Sequence, residues 1–258
     1  MRGELPRGGR YNKPMRENYT LIRIYHDAHL RQGEKMTLPK PQAHYLGTVL
    51  RKKVGDVLRL FNGRDGEFTA EITIMSKKNV VISIGERFRT PVSAPDIWLC
   101  FAPVRKHRTA FIIEKATELG VSAIVPTTTQ RTQFPKINTE KTLAQIIEAA
   151  EQTERLDLPA LHKGLSLESL IAGWDADRKI LFADEAGDAA SALEIVQKTP
   201  APAAILIGPE GGFTPQEREL LRSQDFVTPV SLGPRILRAD TAALSLLSLW
   251  QAASGDWK

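Results

Sequence analysis

The stretch Ala203-Ala204-Ile205-Leu206-Ile207-Gly208-Pro209-Glu210-Gly211-Gly212-Phe213-Thr214-Pro215-Gln216-Glu217 decides how the chain is read. Five apolar residues in a row, bounded by glycine, fit a strand buried on both faces. A glycine-rich turn comes next, then Thr214 with Pro215 directly after it and Glu217 three residues on. That is a capping box with proline at the first helical position, so a helix starts there. Strand, loop and capped helix in immediate succession form the unit of a parallel α/β sheet.

The same alternation extends to both sides. Strands are expected at residues 96–101, 121–126, 180–183 and 230–232, and helices at 109–119, 138–156, 189–198 and 240–253. Gly120 stands where a left-handed residue ends a helix, Asn138 where a side chain caps one, and Pro159 interrupts the chain soon after the helix that Asn138 opens. Residues 96–258 are therefore expected to form an α/β domain with a mostly parallel sheet. Upstream the rhythm differs. Short β-branched segments at 21–25, 57–61, 67–75 and 80–84 are separated by turn sequences such as Asn62-Gly63-Arg64-Asp65-Gly66 and Lys77-Lys78-Asn79. A short helix at 42–50 interrupts them. Residues 20–90 thus read as a small β-barrel domain, Pro91 and Pro95 flank a linker, and residues 1–19 read as a flexible basic arm.

Charge follows this division. Residues 1–90 hold eighteen Lys and Arg against nine Asp and Glu, whereas residues 91–258 hold seventeen against twenty-one. A basic module joined to a near-neutral body suits binding of a polyanion, and solubilising charge is the plainer alternative. Apolar runs stop at five or six residues, far short of the ~20 that span a bilayer. No secretory h-region comes after the basic N-terminus, so a cytoplasmic protein is expected. The lone Cys100, between Leu99 and Phe101, reads as core. The five histidines lack ligand spacing, and no metal is expected.

Two loops carry the candidate chemistry, each leaving the C-terminal end of an expected strand, and they are expected to meet in one pocket. In Gly208-Pro209-Glu210-Gly211-Gly212 the glycines free the backbone for positive φ and close approach. The sequence matches neither the dinucleotide fingerprint nor the P-loop, so phosphate cradling is unsupported and a tight strand-to-helix turn remains open. In Leu232-Gly233-Pro234-Arg235-Ile236-Leu237-Arg238, Ile236 and Leu237 suit the wall of a flat-ring pocket. Arg238 is a cation before a helix start, an unfavourable place that asks for a partner, either an anionic substrate or Asp240. The helix beyond it is apolar nearly all round and must be covered by its own domain or a second subunit. Glu148, Gln152 and Arg155 share one helix face, which fits either a site or a solvated surface. Lys106, with Arg105, Arg108 and Arg131, are loop cations suited to RNA phosphates.

These residues together resemble a known family. Lys106, Glu114-Lys115-Ala116-Thr117-Glu118-Leu119-Gly120-Val121, Arg131, Glu148-Ala149-Ala150-Glu151-Gln152-Thr153-Glu154-Arg155, Gly208–Phe213 and Leu232–Ala242 run in the order found in bacterial 16S rRNA (uracil-N3)-methyltransferases of the SPOUT superfamily. Asp240 departs from a commoner Glu, and the arm before Leu21 is longer. The resemblance implies a PUA-like RNA-binding barrel followed by a trefoil-knot methyltransferase domain acting as a homodimer. It implies S-adenosylmethionine held by Ile207, Gly208, Pro209, Glu210, Gly211, Gly212, Leu232, Gly233, Ile236, Leu237 and Arg238. The implied substrate is 16S rRNA in the assembled small ribosomal subunit, contacted by Arg51, Lys52, Lys53, Lys106, Arg131 and Arg155. Arg238 is the expected catalytic residue, with Glu210 or Glu148 as a candidate base. Competing expectations are a SPOUT ribose 2′-O-methyltransferase and a non-catalytic RNA-binding assembly factor.

Overall fold

A computed structural model describes residues 20–76, 79–186 and 188–257, so the expected arm and the Lys77-Lys78 turn lie outside the described residues. The chain divides into two compact units, Met1–Pro91 and Val92–Lys258.

The first unit contains β1 (Arg23–Tyr25), β2 (Lys35–Thr37), α1 (Lys40–His44), β3 (Val57–Asn62), β4 (Gly66–Met75) and β5 (Val80–Arg89). Helix α1 runs on into a π-helical turn, Tyr45–Val49, that buries Leu46. The strands form a mixed sheet in the order β1-β3-β4-β5-β2, with β1 parallel to β3 and the other pairs antiparallel. Pairing between β1 and β2, which would close a barrel, is absent among the described residues. Strand β2, with two of its three residues exposed, is a short charged edge and leaves little trace in the sequence. Alternate residues of β4 and β5, namely Phe68, Ala70 and Ile72 with Val80, Ile82 and Ile84, meet Leu58 and Leu60 of β3 in one core.

Strand register also builds a buried ionic cluster. Arg23 lies opposite Arg59, Phe61 opposite Glu67, and Glu67 opposite Arg89. The Glu67 side chain is 0% exposed. Its carboxylate accepts hydrogen bonds from Arg23 Nε at 2.7 Å and Arg89 Nη1 at 2.8 Å, with Arg59 Nη1 at 3.6 Å. The Arg23 guanidinium also stands 3.9 Å from the Phe61 ring centroid. Three of the first unit's arginines therefore converge on one carboxylate within the sheet.

The second unit is a three-layer α/β fold. Its central strands are β6 (Ile97–Phe101), β7 (Ala123–Thr128), β10 (Lys179–Ala183), β12 (Ala203–Ile207) and β13 (Val227–Ser231); β8 (Ala160–Leu161), β9 (Leu165–Ser166) and β11 (Ala190–Ser191) are two-residue pieces. The parallel sheet has the order β11-β13-β10-β12-β6-β7-β8, with β9 on β7. Period-two alternation separates its faces. Ile97, Leu99, Phe101, Leu181, Ala203, Ile205 and Ile207 pack with α2 (Lys106–Glu118), α3 (Thr139–Gln152), α5 (Ala192–Val196) and α7 (Ala239–Ala253). Cys100, Ile180, Phe182, Ala204 and Leu206 pack on the opposite face with α4 (Leu167–Ala172) and α6 (Pro215–Arg222). Burial pushes the Cys100 thiol up to about 12, as befits a core residue.

Local signals operate as read. Asn138 accepts from Lys141 N at 2.9 Å, and Thr214 and Glu217 form the capping box. Strand β13 runs Val227–Ser231, starting before the expected residue 230 and passing through Pro229. Strand β10 lies between β12 and β13, so the two glycine-bearing loops do not leave adjacent strands. Helix α7 buries Ala239, Ala242, Ala243, Leu246, Leu247 and Trp250 within its own unit and leaves Leu244, Ser245, Ser248 and Leu249 half-buried. Among the described residues no helix is long and apolar enough to cross a membrane.

Replacing Glu67 by Ala leaves buried arginines without their counter-charge, and the expected cost is about 3–5 kcal/mol. Urea unfolding of Glu67→Ala against wild type reads it; coincident midpoints would contradict the role given to this cluster.

Candidate active site

The loops after β6, β7, β10, β12 and β13 emerge at one edge of the sheet, where ligands bind in open α/β folds. Two clefts lie there. The first, of about 150 Å³, is lined by Val230, Leu232, Gly233, Ile236, Leu237 and Ala242 together with Asp184, Glu185 and Arg235. The second, of about 410 Å³, is lined by Val104, Arg105, Arg108, Gln133, Glu210, Arg238 and Ala239. The loop after β13 forms a wall of both: Leu237 faces the apolar cleft, and the next residue, Arg238, faces the arginine cleft.

Buried carboxylates hold these loops. Glu217, 2% exposed, accepts from Gln130 N through Oε1 and from Thr214 N through Oε2, each at 2.8 Å. One side chain thus ties the loop after β7 to the start of α6. Arg131 Nη1 donates to the Gly211 carbonyl at 2.7 Å, clamping the glycine loop from the same side. Gly212 takes a φ of +65°, and a Cβ there would collide with the Glu185 carboxylate. Behind Glu185, Asp184 accepts from Arg222 Nη2 at 2.7 Å and Nε at 3.1 Å, and Arg218 Nη2 donates to Glu185 at 2.6 Å. Arg222 also holds Asp188, whose carboxyl this hydrogen bond keeps below the usual carboxylate range.

At the start of α7 the question of a partner for Arg238 is settled by its neighbours. Asp240 is taken by Arg108, which reaches it from α2. Arg238 is the N-cap residue of α7 with no side-chain cap bond, is exposed, and makes no ion pair among the described residues. Glu210 is likewise exposed. The second cleft therefore presents cationic side chains whose charge is only partly compensated.

The expected site residues separate into groups. Leu232, Gly233, Ile236 and Leu237 come together in the apolar cleft, while Glu210 and Arg238 face the arginine cleft. Ile207, Gly208, Pro209, Gly211 and Gly212 line neither; they form the strand end and the tight turn beside them. Glu148 is exposed on α3 and lines neither cleft. Arg155 is a correction: its side chain is 8% exposed, and it donates to the Thr117 and Val121 carbonyls at 2.8 and 2.7 Å and to Asp157 at 2.9 Å. It is a strut, because these carbonyls at the end of α2 need donors. Sequence reading passed over Asp184, Glu185 and Gln133, although two acids directly after an expected strand were a usable signal. Among the described residues no group of three or more His, Cys, Asp or Glu could hold a metal ion.

The apolar walls of this slot suit a flat ring, while its two carboxylates are already paired with Arg218 and Arg222 and Arg235 also lines it. Gly233, with φ +99° and no atom within 4 Å of a Cβ position, gives such a ligand direct access to backbone.

Comparison with known proteins gives a consistent picture. Residues 92–251 match the family model of an RNA methyltransferase domain, and residues 38–85 match an RNA methyltransferase PUA domain. The chain is 35% identical to ribosomal RNA small subunit methyltransferase E of Rickettsia conorii, over 88% of this chain and 93% of that one. It is 29% identical to the protein of the same name from Bacillus subtilis, over 85% and 90%. Among solved structures, a Legionella pneumophila protein in complex with bound SAM superposes with a TM-score of 0.83 at 36% identity, covering 92% of this chain and 99% of that one. Ribosomal RNA small subunit methyltransferase E from Neisseria gonorrhoeae, bound to S-adenosyl methionine, gives 0.78 at 27% identity, covering 92% and 100%.

Truncating Glu217 to Ala orphans two backbone N–H groups at once, with an expected loss of about 2 kcal/mol or more. Thermal unfolding of Glu217→Ala is the check, and an unshifted midpoint would show that the loops are held by something else.

Proposed function

The chain belongs to the RNA methyltransferase family that includes the small-subunit ribosomal RNA methyltransferase E proteins, and from that premise we propose that it methylates N3 of a uridine in the decoding region of 16S rRNA, using S-adenosylmethionine. The observation that carries this reading is the single loop, residues 232–238, that walls an apolar cleft on one side and an arginine cleft on the other. One cleft suits the donor and the other the acceptor, with Leu237 and Arg238 between them.

S-adenosylmethionine, when bound, supplies an electrophilic methyl group on a sulfonium. The residues that would hold it are Leu232, Gly233, Ile236 and Leu237 against its apolar surface. The Gly208–Gly212 turn supports this wall through the contact of Gly212 with Glu185. On the acceptor side the requirement is alignment and removal of the uracil N3 proton, which titrates near a phenol's ~10. Arg238 favours the anionic base electrostatically, because Asp240 is already committed to Arg108. Glu210, in the same cleft, is placed to accept the proton. Glu148, away from both clefts, is given no role.

RNA phosphates are met by Arg51, Lys52 and Lys53 of the first unit and by Lys106 at the first position of α2. Arg51 and Lys53 are exposed on the turn before β3, where Arg51 holds a φ of 51°. Arg131 acts on the glycine loop instead. The enzyme works in the cytoplasm on the assembled small subunit, as a homodimer to which α7 offers its half-buried Leu244, Ser245, Ser248 and Leu249.

Three measurements test this. Arg238→Ala is expected to lower turnover by on the order of 10²-fold while S-adenosylmethionine affinity stays near wild type; undiminished methylation would remove Arg238 from the chemistry. Neutralising Arg51, Lys52 and Lys53 together is expected to flatten the plot of log affinity for RNA against log salt by about 2, and an unchanged slope would move RNA contacts elsewhere. Nuclease digestion and mass spectrometry of rRNA methylated in vitro is expected to yield a base-methylated uridine, whereas a ribose methyl group would overturn the N3 assignment.

A further inference from the structure

A third groove, of about 280 Å³, lies on the second unit between the first turns of α2 and α3 and the segment that precedes α3. Lys106, Lys136 and Lys141 line it, and no carboxylate does. None of the three lysines makes an ion pair among the described residues. Its floor is apolar, with Val104 and Ile113 buried, and Phe134 stands at its edge with 42% of its surface exposed. A phenyl ring left in water beside three lysines is an unfavourable surface for a protein alone, and a matched one for a nucleotide strand. Every nucleobase offers a flat face to an aromatic ring, and every phosphate a charge to an ammonium group.

The groove is continuous with the arginine cleft. Val104 lines both, Arg105 of the cleft precedes Lys106 of the groove, and Gln133 of the cleft precedes Phe134 of the groove. Resting on the methyltransferase reading above, we propose that this groove binds the single-stranded RNA flanking the target nucleotide, stacking one base on Phe134 and holding phosphates with Lys106, Lys136 and Lys141. Such a contact fixes the strand on the catalytic unit itself, next to Arg238 and Glu210. An acidic peptide would satisfy the lysines but would leave the ring and the continuity with the acceptor cleft unexplained.

The test titrates the full chain with a short, fluorescently labelled, single-stranded oligoribonucleotide at several salt concentrations, without cofactor. Phe134→Ala is expected to weaken binding about tenfold without changing the salt slope, and Phe134→Trp to retain it. Lys136→Ala combined with Lys141→Ala is expected to flatten the slope by about 1.4. Calorimetric affinity for S-adenosylmethionine stays unchanged in all three, which shows that they are folded. Wild-type RNA affinity in Phe134→Ala, an unaltered slope in the double lysine variant, or displacement of the RNA by polyglutamate with equal potency in wild type and Phe134→Ala would each overturn the proposal. Failure of the enzymatic reading appears separately, as wild-type protein that neither binds S-adenosylmethionine nor transfers its methyl group.

Discussion

Parallel strands all leave a sheet at the same edge, and that constraint governs everything functional in the second unit. With β6, β7, β10, β12 and β13 aligned, loops far apart in sequence are forced to share one rim. Their backbone polar groups then need partners that the sheet cannot give. The chain answers with side chains set among the loops: the buried Glu217 takes the Gln130 and Thr214 N–H groups and the exposed Arg131 takes the Gly211 carbonyl, while Arg108 pairs with the Asp240 carboxylate. Fixing the rim in this way also fixes the two clefts, because the loop after β13 is a wall of each.

The first unit solves a different problem. Its basic residues serve both on the surface, as in the turn at Arg51–Lys53, and in an interior where Arg23, Arg59 and Arg89 converge on Glu67. Counting charge along the sequence cannot separate these two uses, since burial depends on the strand register that places Glu67 opposite Arg89. The turn is one of several places where basic side chains of this unit are exposed, with Arg31, Lys35, Lys40, Arg64 and Arg87 elsewhere.

Signals confined to one element were legible in the sequence, and those set by pairing between elements were not. The Thr214–Glu217 box, the Asn138 cap and the apolar run of β12 depend on local sequence alone, and each is in place. The two-residue strands β8, β9 and β11 are too short for any periodicity to register. Arg155 carried the charge expected of an RNA contact, but the carbonyls that claim it belong to α2 and the turn after it, some 34 to 38 residues away. Likewise Leu232, Gly233, Ile236 and Leu237 were identifiable from their loop, whereas the Asp184 and Glu185 that complete the cleft come from the end of β10, which intervenes between the two glycine-bearing loops.

Helix α7 is joined to the early part of its unit by contacts of very long reach. Asp240 meets Arg108 and Gln251 Nε2 donates to the Leu119 carbonyl, both across 132 residues, while Trp250 Nε1 donates to Thr199. A chain growing on the ribosome makes α2 long before α7, so the arginine cleft stays without its last wall until synthesis is nearly done. A polypeptide that stalls short of α7 therefore carries Arg105 and Arg108 but lacks the Arg238 and Ala239 that complete the lining.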